Sequence, residues 1–112
     1  MSTARDIIAA LSPLGYPVAQ DAHIGKEDAY FVFNLSTYPG DFADDEPQHE
    51  RVMVMVHFYC PMKKNITDLK RIVKLTLQSA GFTYPAQIAA SEDGRQHVVF
   101  ECERAEGIGD GL

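Results

Sequence analysis

The chain has 112 residues, 46% of them hydrophobic and 23% charged, the size and balance of one globular domain around one core. Its formal charge of −6 argues against nucleic acid as a main partner, because a backbone binder needs a basic surface that displaces counterions. No run nears the roughly 20 apolar residues of a membrane span, and the opening MSTARDII has no signal-peptide core.

Two cysteines, Cys60 and Cys102, suit buried thiols in a reducing compartment better than a disulfide framework, so a cytosolic location is expected. Five of the ten Lys/Arg residues fall between Lys63 and Lys74, which leaves room for a local basic patch.

TARDIIAALSPLG predicts a first helix, capped by Thr3 with Asp6, carrying Ile7, Leu11 and Leu14 on one stripe and ended near Ser12 by Pro13 and Gly15. PVAQDAHIGKED reads as a connector. AYFVFNLS, Ala29 to Ser36, is aromatic and β-branched and predicts a strand. Residues 37–50, TYPGDFADDEPQHE, hold two prolines and five acids, a composition that predicts a mobile hairpin loop. RVMVMVHFYC predicts a long second strand.

NITDLKRIVKLTLQSAGF predicts the second helix. Asn65 is placed to cap the Asp68 amide, Ile66, Leu69, Val73, Leu77 and Ala80 form the buried stripe, and Gly81–Phe82 gives a Schellman ending. AQIAAS and RQHVVFECER follow as two strands joined through the turn EDG, and AEGIGDGL is a loose tail. The expected architecture is α+β, with a mainly antiparallel four-stranded sheet and two helices in the order α-β-β-α-β-β. It comprises a single domain over 1–106 with the acidic loop at 37–50, and a flexible tail at 107–112.

Strand side chains alternate between faces. Val52, Val54, Val56, Phe58 and Cys60, with Val98, Phe100, Cys102, Phe31, Phe33 and Leu35, form a uniform set suited to a helix-covered core. The opposite set is Tyr30, Val32, Met53, Met55, His57, Tyr59, His97 and Val99, residue types that tolerate both water and a partner. Two explanations stand for this second apolar face: the first helix covers it, or another subunit does.

Chemistry is sparse. His57, Cys60, His97 and Cys102 are zinc-ligand types, but each His–Cys neighbour pair points to opposite faces of its strand, so buried thiols are expected and no metal. The acids of 41–46 lack the spacing of a calcium loop, no glycine-rich phosphate loop is present, and no catalytic residue or cofactor is expected. Lys70, Arg71 and Lys74 form a basic stripe on the second helix, either a solvated face or a set that pairs with an acidic loop of a neighbouring subunit.

The opening helix ARDIIAALSPLGYPV, the strand AYFVFNLS, the polar excursion before RVMVMVHFYC, the helix ITDLKRIVKLTLQSAGF and the closing HVVFECER together resemble the tail-terminator, or head–tail joining, proteins of long-tailed bacteriophages and prophages. The resemblance covers residues 4–104 and lies in arrangement and texture, with no signature motif and no catalytic residue to transfer. It implies copies of the chain in a hexameric ring that caps the tail tube, meets the head connector, and lets DNA pass without specific binding or any membrane contact. The implied location is the virion tail, with the host cytoplasm during assembly.

Within such a ring Asp41, Asp44, Asp45 and Glu46 are expected to face the lumen or a docking partner, ordering on assembly and repelling phosphate. Two other readings stand beside this one. One is a small cytosolic adaptor that binds proteins and dimerises through its sheet. The other is an enzyme formed at a dimer interface, with His57, Tyr59 and His97 as its candidates.

Overall fold

The computed structural model describes residues 2–43, 46–92 and 94–107, and the side chains of all of these except 40–49 and 107. The elements are α1 (Thr3–Leu11), a 3-10 turn (Ser12–Leu14), β1 (Val18–Gln20), β2 (Tyr30–Ala43), β3 (Glu46–Pro61), α2 (Thr67–Ser79), β4 (Ala86–Ala89) and β5 (Arg95–Gly107). The strands make one sheet in the order β1-β2-β3-β5-β4. β1 runs parallel to β2, and the other pairings are antiparallel. The architecture is therefore α+β as expected, with five strands in a mixed sheet rather than four.

The additional strand lies in the segment read as a connector. Val18, Ala19 and Gln20 pair with Phe31, Val32 and Phe33. Three residues are too few for a periodic pattern, and a pairing formed with a neighbouring strand leaves no local signal.

The second correction concerns 37–50. Its described residues, 37–43 and 46–50, continue the two strands instead of forming a loop: Thr37 pairs with Val52, Pro39 with Glu50 and Ala43 with Glu46. Pro39 is tolerated because β1 accompanies β2 only as far as Phe33, so beyond it β2 is an edge where a missing N–H breaks no ladder. At about 3.3 Å per residue, strands of 14 and 16 residues reach well beyond the helices as a projecting arm. Asp41 and Glu46 belong to these strands, whereas Asp44, Asp45 and the tail from 108 lie outside the described residues.

Both helices pack on one face of the sheet. Ile7 and Leu11 of α1 and Val73 and Leu77 of α2 join Phe31, Phe33, Val54, Val56, Phe58, Cys60, Phe100 and Cys102 in one buried cluster. Burial along β3 alternates without a break from Val52 to Cys60, which is the signature of a sheet covered on one side. Leu69, Leu35, Leu14 and Ala80 pack partly buried against the same cluster.

The helix ends follow local chemistry, with two changes of partner. Ser2, not Thr3, caps α1 by accepting from the Arg5 amide, and Thr3 is buried. Asn65 Oδ1 accepts from the Thr67 amide at 3.0 Å rather than from Asp68. The end of α2 is the expected Schellman motif: Gly81 is left-handed at φ 100°, Phe82 donates to the Leu77 carbonyl at 3.2 Å, and Phe82 is buried.

α2 carries the chain across β5 to the far edge, where β4 pairs with β5. Gln96 Nε2 ties down the start of this crossover by donating to the Pro61 and Lys64 carbonyls at 3.0 and 2.6 Å. Thr83 ties its return by donating its amide to Glu103 O at 2.9 Å.

Candidate functional site

The other face of the sheet has no helix on it. Register places Val32, His57, Val99 and Ile88 in one row across β2, β3, β5 and β4. Asn34, Met55, Glu101 and Ala86 form the next row, followed by Ser36, Met53 and Glu103. All eight residues expected on one face are thus brought together there. Val32 and Val99 are buried, Tyr30, Met55, His57, Tyr59 and His97 are half-buried, and Met53 is exposed. Of the two explanations for this face, coverage by the first helix is excluded by the packing of Ile7 and Leu11 into the opposite side.

One end of the face is a continuous stack of rings. His23 lies on Tyr30 with centroids 4.0 Å apart, Tyr30 on Tyr59 at 5.2 Å, Tyr59 on His97 at 4.2 Å and His97 on His57 at 5.0 Å. The Arg95 guanidinium sits 5.3 Å from the Tyr30 ring and 5.2 Å from the Tyr59 ring, and donates to the Tyr30 hydroxyl at 3.0 Å. Sequence reasoning missed His23, Asn34 and Arg95. The segment between β1 and β2 brings His23 back over the sheet end, where its ring covers Tyr30.

The histidines are wired to each other. His57 Nε2 lies 2.9 Å from Asn34 Oδ1, and His57 Nδ1 lies 2.8 Å from His97 Nε2. Asn34 Oδ1 can only accept, so His57 carries its proton on Nε2, its Nδ1 accepts, and His97 Nε2 donates. Burial pushes the His57 pKa below its ordinary value, and His97 beside it adds to the fall. Burial also pushes His97 down, with Arg95 adding to this and the Ala90 carbonyl and Glu92 opposing it. Both rings are neutral near pH 7. Burial, with Tyr30 and Glu92 beside it, pushes the Tyr59 hydroxyl up against the opposing pull of Arg95.

The candidate acid–base trio of His57, Tyr59 and His97 therefore does meet in space. Both nitrogens of His57 are taken up by Asn34 and His97, however, which leaves that ring no free position for a substrate proton. One surface groove is lined by His23, Tyr30 and Arg95 and another by Met53, Tyr84 and Glu101, and neither is lined by His57 or His97. Cys60 and Cys102 are buried in the core on the opposite side of the sheet from both histidines. Burial raises the Cys60 thiol and lifts Cys102 to about 12, far from a reactive thiolate. Among the described residues no group of three His, Cys, Asp or Glu side chains is gathered for a metal.

Farther along the face, Glu103 accepts from Arg51 Nη2 and from the Tyr38 hydroxyl, the latter at 3.1 Å, and these two bonds hold its carboxylate below the usual range. On the core side Arg104 Nη2 donates to Thr3 Oγ1 at 3.0 Å and to Asp6 Oδ2 at 2.7 Å, and pairs with Glu106 at 3.3 Å. These two clusters fix β5 to the projecting arm and to α1. On α2, Lys74 Nζ lies 5.8 Å over the Tyr84 ring, Lys70 is half-buried and Arg71 is exposed.

Fold and face together define a small α+β domain with one finished and one uncovered side. No family model matches the sequence, and no curated protein matches it. A solved structure that carries no descriptive name is similar over 91% of this chain and 94% of its own, with TM-score 0.57 and 13% identity. At that identity the likeness shows the fold alone. No helix among the described residues is long and apolar enough to cross a membrane.

Proposed function

We propose that this chain is a structural assembly subunit of the tail-terminator kind, a ring-forming cap that closes a phage tail tube and joins it to the head connector. The observation that carries the reading is the sheet face with no helix of its own chain on it, where Met53 and Ile88 are exposed and Met55 and Tyr59 are half-buried. A nonpolar sheet face without cover is completed by a partner. The projecting arm of β2 and β3 supports the same reading, because it carries backbone well past the core, as a subunit reaching a neighbour would.

In this role the acids Asp41, Asp44, Asp45 and Glu46 line the lumen or a docking surface and keep DNA phosphates from sticking. The ring contacts tail-tube and connector proteins and resides in the virion tail. The test is electron microscopy of tail tubes incubated with the purified chain. Tube ends closed by a ring are expected, and ends that stay bare at saturating protein would defeat the reading.

A further inference from the structure

Two surfaces of the domain go unused by its fold. α2 exposes Ile72 and Leu75, 41% and 46% accessible and one turn apart, turned away from the buried Val73 and Leu77. Arg71, four residues before Leu75, stands beside this ridge and is exposed. The helix-free sheet face carries a groove of about 280 Å³ whose lining includes Met53, Thr83, Tyr84, Ala86, Glu101 and Glu103. Its walls include Met53 and Tyr84, 40% and 51% accessible, and its rim is acidic. Glu103 is already held by Arg51, which leaves Glu101 as the acid available to a newcomer.

We propose that α2 of one copy docks in this groove of the next, Ile72 and Leu75 against Met53 and Tyr84 and Arg71 facing Glu101. The inference rests on the assembly reading above and gives it a geometry. An apolar ridge edged by the Arg71 cation suits an apolar groove edged by acids, and one chain carries both halves. Ridge and groove are different surfaces, so the contact is heterologous. An open chain of copies keeps one free ridge at one end and one free groove at the other until a ring closes.

The experiment is sedimentation of the full chain up to millimolar concentration, for the wild type, for Leu75→Arg, for Met53→Arg, and for an equimolar mixture of the two variants. Thermal melts check that each is folded, and Glu101→Lys replaces Met53→Arg if the latter is not. Each variant alone is expected to self-associate about tenfold or more weakly than the wild type. The mixture regains a dimer at wild-type affinity and stops there, since each variant contributes one intact surface. A Leu75→Arg variant that associates like the wild type overturns the proposal, as does a mixture that forms no dimer or a strictly monomeric wild type. None of these outcomes reaches the tube-capping reading, which fails only on bare tube ends.

Discussion

His57 Nδ1 lies 2.8 Å from His97 Nε2, and the second nitrogen of His57 is held by Asn34, so two imidazoles on neighbouring strands share a single N–H···N bond within the ring stack of the helix-free sheet face. The bond needs one bare nitrogen. It exists only while the pair is not doubly protonated, which ties the local structure to pH.

Stability should fall as this pair is asked to take up protons. Both histidines have folded values below 6.5, chiefly because burial disfavours the charged form. Between those values and 6.5 the unfolded chain binds more protons than the folded one, so their contribution is present above 6.5 and is lost as pH falls through the window. Urea unfolding midpoints measured at pH 7.5 and 5.5 should drop in the wild type. His57→Gln should narrow the gap; an equal drop in that variant would place the acid sensitivity elsewhere.

The two thiols should be silent in the folded chain. Cys60 and Cys102 are buried, and Cys102 is pushed up to about 12, so its thiolate fraction at pH 8 is about one in ten thousand. A thiol reagent at pH 8 should label both cysteines roughly a thousandfold more slowly in buffer than in urea, through transient opening. Fast labelling of either in the native state would contradict its place in the core. Above pH 9 the unfolded chain releases thiol protons that the folded chain keeps, so stability declines from there upward.

Arg104 and Arg51 should separate sharply on truncation. Arg104→Ala strands Asp6 and Glu106, whose side chains are only 18% and 17% accessible, and should cost about 2–3 kcal/mol. Arg51 pairs with Glu103 at the surface, and Arg51→Ala should leave the urea midpoint nearly unchanged and should raise the Glu103 pKa toward its ordinary value. Equal losses from the two substitutions would show that the Arg104 cluster is not part of the helix–sheet seam.

Much of this could be read from the chain. The alternation of RVMVMVHFYC separated a valine–phenylalanine face from a methionine–histidine–tyrosine face, and β3 keeps that division residue by residue. Ile66, Val73, Leu77, Gly81 and Phe82 announced both the buried stripe and the end of α2. These are local rules of periodicity and backbone sterics, legible without knowing any neighbour. The arms at 37–43 and 46–50 were illegible for the opposite reason. Their proline, glycine and acids argue against a strand one residue at a time, and they are strands because each pairs with the other past the end of β1.

What the sequence determined by itself is the face to which each strand residue belongs, since pleating fixes that at every second position. What only the tertiary structure decided is that both helices lie on the same side, and that His23, Asn34 and Arg95 converge on the histidines and tyrosines of the other. Helix placement depends on which layers can be buried together, and residues 23 and 40 positions apart along the chain meet only after β2, β3 and β5 are in register. Distance along the chain carries no record of that pairing, because it is set by the hydrogen-bonded ladder and the burial that accompanies it.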